Sequence, residues 1–139
     1  MQFIVLSRRE IENNFECLKD HIVISICDPE GKYVEIKKTY ELLGMLHLRF
    51  PDFDKELEGY KYNHLLFNKR MAKNILKFVK ICRDKTEVVV CQCEAGISRS
   101  AGVAATLSKI YNGNDTEYFK KYLPNMLVYR TILEVANES

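Results

Sequence analysis

Glycine and proline are scarce in this 139-residue chain, at 6 and 3. Collagen-like, low-complexity and linker-rich architectures need far more of both, so they are excluded. Long apolar runs are missing too: Ile22 to Cys27 and Val88 to Cys91 fall far short of the roughly 20 residues a spanning helix requires. A membrane is therefore not expected as a partner. Charge of one sign is also lacking, because 21 basic residues stand against 19 acidic ones for a formal net charge of +2. That leaves no general basic field for DNA or RNA, and nucleic acid is excluded as the main partner. The 5 cysteines are odd in number and no cleavable signal stretch precedes them, so a cytoplasmic protein is expected rather than a secreted disulfide framework. Cys91 and Cys93 flank Gln92, but no second cluster stands at zinc-like spacing, and His21, His47 and His64 share none. No metal and no cofactor is expected. What is present, 47% hydrophobic and 29% charged residues, fits a single domain over residues 1–139. The sequence leaves the oligomeric state open.

Periodicity divides the chain into alternating elements. Phe3 to Leu6 reads as a strand, and Ile11, Phe15 and Leu18 recur at helical spacing within Arg9 to Leu18. His21 to Cys27 reads as a buried strand that stops at the turn-forming Asp28-Pro29-Glu30-Gly31. A short helix is expected over Thr39 to Leu43, closing at Gly44, and then a strand from Met45 to Phe50 ending at Pro51. Asn68 is placed to cap a helix running to about Arg83, with Met71, Ile75, Val79 and Cys82 inward and Lys69, Arg70, Lys73 and Lys77 on solvated faces. Thr86 to Gln92 carries three successive valines, the pattern of a central strand buried on both faces. Helices are expected over Arg99 to Tyr111, closing at Asn112-Gly113, then Asp115 to Tyr122 and Val128 to Ala136. Strands alternating with helices give an α/β domain.

A cysteine followed six residues later by an arginine decides nothing by spacing alone. The context is more specific: Cys93 ends a buried strand, Gly96 lies in mid-loop, and Ser98, Arg99 and Ser100 open a helix. A phosphate dianion needs several donors aimed at its oxygens, and a tight loop entering a helix offers backbone N–H groups with the positive end of the helix dipole. Glu94, Ala95, Gly96, Ile97, Ser98 and Arg99 are the candidate phosphate-binding residues. Gly96 permits the turn, and the planar fork of Arg99 can bind two oxygens at once. The same environment favours a thiolate at Cys93, the candidate nucleophile, which would form a phosphocysteine intermediate that water then hydrolyses. A leaving oxygen departs faster when protonated, and the loop after the strand ending at Pro51 offers Asp52, with Asp54 as the second choice. The Ser100 hydroxyl is placed to stabilise the departing thiolate. Cys91 is read as a core residue facing away from Cys93.

The segment Val89-Val90-Cys91-Gln92-Cys93-Glu94-Ala95-Gly96-Ile97-Ser98-Arg99-Ser100-Ala101-Gly102 resembles the active-site segment of dual-specificity protein phosphatases, whose pattern is H-C-x-x-G-x-x-R-[ST]. Leu48-Arg49-Phe50-Pro51-Asp52 resembles the general-acid loop of that family, and Pro124-Asn125 resembles a Pro-Asn loop bordering its active site. The resemblance implies a protein-tyrosine-phosphatase-like core, with a mostly parallel sheet of about four to five strands flanked by helices. It also implies metal-free hydrolysis of phosphotyrosine on proteins, with or without phosphoserine and phosphothreonine. One position departs from the pattern, since Gln92 stands where the family has histidine. Glutamine donates a hydrogen bond but carries no positive charge, so weaker support for the thiolate is expected.

Other readings are set apart by sequence features. Low-molecular-weight phosphatases and arsenate reductases carry a similar loop near the N-terminus, unlike position 93, and a rhodanese-type sulfurtransferase needs neither Asp52 nor the Arg99-Ser100 ending. The alternative from a different class is a pseudophosphatase that captures phosphorylated partners without turnover, a role Gln92 brings into view.

Overall fold

Parallel strands cannot be joined by hairpins, so a chain that alternates β-branched runs with amphipathic helices winds its helices across the sheet. A computed structural model, described over residues 1–13 and 15–138, has this architecture. Strands β1 (Gln2–Leu6), β2 (His21–Cys27), β3 (Leu42–Arg49) and β4 (Val88–Gln92) form one sheet of order β1-β4-β2-β3, and every neighbouring pair is parallel. The valine run of β4 thus lies between two partners and is buried throughout. The helices are α1 (Arg8–Asn13), α2 (Lys69–Cys82), α3 (Arg99–Asn112), α4 (Thr116–Lys121) and α5 (Met126–Glu138). Among the described residues no helix is long and apolar enough to cross a membrane.

The period of two along each strand sorts side chains onto two faces. On one face Ile22, Ile24 and Ile26 of β2 and Val89 and Cys91 of β4 join Ala72, Ile75 and Val79 of α2, the inner side of α3, and Val128 and Ile132 of α5. On the other, Val23, Val88 and Val90 meet Leu6, Ile11 and Val34 in a smaller cluster. Cys93 belongs to the first cluster with Cys91. Cys91 is therefore core as expected, but on the same face as Cys93 and not the opposite one, because residues two apart in a strand share a side.

Helix ends follow local chemistry. Asn68 Oδ1 accepts from the Met71 N–H at 3.0 Å and starts α2, leaving Lys69, Arg70, Lys73 and Lys77 exposed. Gly113, at φ 77°, closes α3 in the left-handed conformation. Two expected elements differ. The helix expected over Arg9 to Leu18 is α1 alone; residue 14 lies outside the described residues, and Leu18 is 83% exposed. Phe15 instead meets His21 edge to face at 6.4 Å as the chain approaches β2. No helix forms over Thr39 to Leu43 either. Gly44 is a residue of β3, and a Cβ there would lie 3.3 Å from the Phe78 ring of α2, so this glycine lets helix and strand approach and does not cap a helix.

Candidate active site

At the carboxyl ends of parallel strands, loops gather where binding sites usually form. The 93–99 loop leaves β4 there. Cys93 donates its backbone N–H to the Leu6 carbonyl at 3.2 Å, and Arg8 donates its own to the Glu94 carbonyl at 3.1 Å, so the end of β1 walls the loop. Gly96 has φ 67° and packs so closely on that wall that a Cβ would lie 2.5 Å from Ser7 N. Both its conformation and its space require glycine.

Cys93 is 1% exposed. Its Sγ lies 3.0 Å from Ser100 Oγ and accepts from the Gly96 N–H at 3.3 Å. A backbone donor and a hydroxyl that can donate or accept therefore face the sulfur at the start of α3, where the helix dipole adds positive potential. Among the described residues, the backbone N–H groups of Ala95, Ile97 and Ser98 have no hydrogen-bond partner. The other sulfurs sit differently. Burial pushes the Cys91 thiol upward, with a further push from Cys93, and burial also raises Cys27 at the end of β2, against the opposing pull of Arg49. Both are held as thiols.

Arg99 is buried at the start of α3. Its Nη1 donates to the Phe50 carbonyl at 2.9 Å and lies 2.7 Å from Asp28 Oδ1, while its buried Nε has no partner. A buried unpaired guanidinium N–H is costly unless something fills it. Gln92 is fully buried between strands: its Oε1 accepts from Ser25 Oγ at 2.5 Å and its Nε2 donates to the Cys93 carbonyl at 3.0 Å. The amide thus ties β2 to the root of the loop, a holding role that needs no charge.

Asp52 stands in the exposed segment after β3. Its Oδ1 accepts from Ser98 Oγ at 2.8 Å and from Asn125 Nδ2 at 3.0 Å. Asn125 also donates its backbone N–H to the Ser98 carbonyl at 3.0 Å, and its Oδ1 accepts from Val128 N at 3.1 Å. One asparagine joins the segment bearing Asp52, the 93–99 loop and the first turn of α5. Asp54 is exposed on the wall of a shallow depression of about 250 Å³ with Phe53, Ser98, Pro124 and Met126. Direct contacts thus pair Cys93 with Ser100 and Ser98 with Asp52, Arg99 is anchored instead on Phe50 and Asp28, and Glu94, Ala95 and Ile97 have exposed side chains.

Three participants escaped the sequence reading. Asp28 lay in a segment read only as a turn, Ser25 carried no signal, and Arg8 fell between the expected strand and the expected helix. Arg8 Nε donates to Glu94 Oε2 at 2.8 Å, and its Nη2 donates to the Lys32 carbonyl. The Glu94 carboxylate, its main partner, strengthens the charged form of Arg8. Nothing local in the sequence links residues 86 positions apart.

No protein-family model matches the sequence, and no curated protein does. Solved structures are similar in fold. The human tyrosine phosphatase-like serine/threonine/tyrosine-interacting protein is 20% identical, with 86% of this chain and 78% of that one covered at a TM-score of 0.55. Human DUSP28 is 12% identical, with 99% and 95% covered at 0.58. OH1 of the Orf virus, a tyrosine phosphatase, is 13% identical, with 96% and 81% covered at 0.53. A four-stranded parallel sheet flanked by helices, with the Cys93 loop running from β4 into α3, gives this chain the fold of the dual-specificity and tyrosine phosphatases.

Proposed function

We propose that this chain is a cysteine-dependent phosphatase that hydrolyses phosphate monoesters on proteins, phosphotyrosine with or without phosphoserine and phosphothreonine. The observation that carries the reading is Cys93 Sγ, held by Ser100 Oγ and the Gly96 N–H at the mouth of a helix whose first residue, Arg99, keeps a buried, unpartnered Nε. Free backbone N–H groups of the loop and the Nε edge of Arg99 bind the non-bridging oxygens. The thiolate attacks phosphorus in line, an S–P bond forms, and the ester O–P bond breaks. Asp52 gives its proton to the leaving oxygen; both donors to this carboxyl lie on Oδ1, which leaves Oδ2 to carry the proton. Water then attacks the phosphocysteine, Asp52 takes its proton, and the thiolate departs towards Ser100. The products are the free hydroxyl and inorganic phosphate.

The test is turnover of p-nitrophenyl phosphate by wild type and Cys93→Ser. Wild type is expected to exceed the variant by about 10⁴-fold or more. Equal rates with retained orthovanadate binding would instead establish capture without turnover. Matched phosphotyrosine and phosphothreonine peptides then rank the substrates.

A further inference from the structure

The segment following β2 has no regular structure beyond a short turn, yet it supplies the counterion of Arg99. Asp28 Oδ1 lies 2.7 Å from Arg99 Nη1, and the backbone around Asp28 is gathered by one side chain. Arg49, the last residue of β3, donates from Nη1 to the carbonyls of Asp28 at 3.1 Å, Pro29 at 3.1 Å and Gly31 at 2.6 Å. Its guanidinium also lies over the Tyr33 ring, 4.8 Å from the centroid. A planar guanidinium can stack on a ring while donating sideways; an ammonium cannot do both. The next residue, Phe50, gives its carbonyl to the same Arg99 Nη1 at 2.9 Å. Both anchors of Nη1 therefore come from the ends of β2 and β3, which Arg49 bridges.

We propose that Arg49 is a positioning residue for Arg99: it holds the 28–31 turn, the turn holds Asp28, and Asp28 with the Phe50 carbonyl fixes the guanidinium so that its Nε edge faces the anion. The inference rests on the phosphatase reading above. It distinguishes two roles for one cation. Arg49 acting through distance-dependent charge alone would need no geometry, and lysine would serve as well. Arg49 acting through the turn needs the fork and needs Asp28.

The test is orthovanadate affinity by calorimetry, together with Cys93 alkylation by anionic iodoacetate and neutral iodoacetamide. Arg49→Ala is expected to weaken orthovanadate about tenfold, roughly 1.4 kcal/mol, and to slow iodoacetate far more than iodoacetamide. Arg49→Lys, which keeps the charge and guards against misfolding of the alanine variant, is expected to lose about fivefold, or roughly 1 kcal/mol. In an Asp28→Ala background the Arg49→Lys change is expected to cost less than about twofold, because the relay is already cut. Arg49→Lys matching wild type, or its loss persisting undiminished without Asp28, overturns the relay while wild-type orthovanadate binding upholds the site. A wild type that binds no orthovanadate overturns the phosphate-site reading and the relay with it.

Discussion

Cys93 begins the 93–99 loop and Asp52 is bonded to Ser98 of that loop, and the two are held by opposite means. The cysteine is buried in the main core cluster, its loop fixed by backbone hydrogen bonds to β1 and by a glycine with no room for a Cβ. The aspartate stands in an exposed segment and is held by two side-chain hydrogen bonds, from Ser98 and Asn125. Backbone pairing within a close-packed core opens only with large parts of the fold, whereas two polar tethers on an exposed loop open locally. The proposed nucleophile is built in with the core, and the proposed acid is docked onto it.

The sharpest way to break this contrast is to alter chemistry without altering the frame. Arg99→Lys keeps the charge but loses the planar fork, and kcat/KM is expected to fall about 10²- to 10³-fold. A loss under tenfold would mean that backbone N–H groups alone hold the phosphate. On the docked side, Asp52→Asn is expected to cost about 10²-fold in kcat and to remove the alkaline limb of the pH profile, because the acid must carry a proton and asparagine cannot titrate. Asp54→Asn, which breaks neither tether, is expected to stay within about threefold of wild type; if Asp54→Asn removes the limb, the acid is Asp54.

Stability should show the same division. Gly96→Ala forces a Cβ to within 2.5 Å of Ser7 N at a φ of 67°, so a loss of roughly 2–3 kcal/mol in urea unfolding is expected. Ser25→Ala leaves the buried Gln92 Oε1 without its donor and is expected to cost about 1–2 kcal/mol. The smallest effect is expected in α5. Tyr129, pushed up to about 12 by burial and by its hydrogen bond to Asp115, adds stability that is complete below the ordinary tyrosine value of 10.0. As the folded value is the higher one, that contribution is lost as pH rises from about 10 to 12. Tyr129→Phe should flatten alkaline unfolding in that window and leave neutral stability within about 1 kcal/mol.

The division also explains what could be read from the sequence. Three consecutive valines, a capping asparagine at 68 and a glycine after Asn112 are local signals for local structure, and the elements they mark stand where they point. The stretch from Cys93 to Ser100 was legible for the same reason: strand, glycine and helix start are contiguous. Gly44 misled because a glycine in a strand and a glycine ending a helix look alike until the facing ring of Phe78 is known. Asp28, Ser25, Arg8 and Arg49 were silent because each acts through a partner distant in sequence, and only the pairing of β2 with β3 and β4, and of β1 with β4, brings those partners together. Gln92 was legible as a departure but not as a tether, since its acceptor role depends on the register that sets Ser25 opposite it.

The wall that β1 forms behind the Cys93 loop also bears on how the molecule is made. Synthesis delivers Gln2–Leu6 before its partner in the sheet, Val88–Gln92, and Arg8 must wait for Glu94, 86 residues on. Pairing so distant in sequence is slow to form and has no hairpin to nucleate it. A nascent chain therefore carries Cys93 without this wall until β4 settles beside β1. The setting of the sulfur, with the Gly96 N–H and Ser100 Oγ against it, is therefore complete only when the sheet is complete.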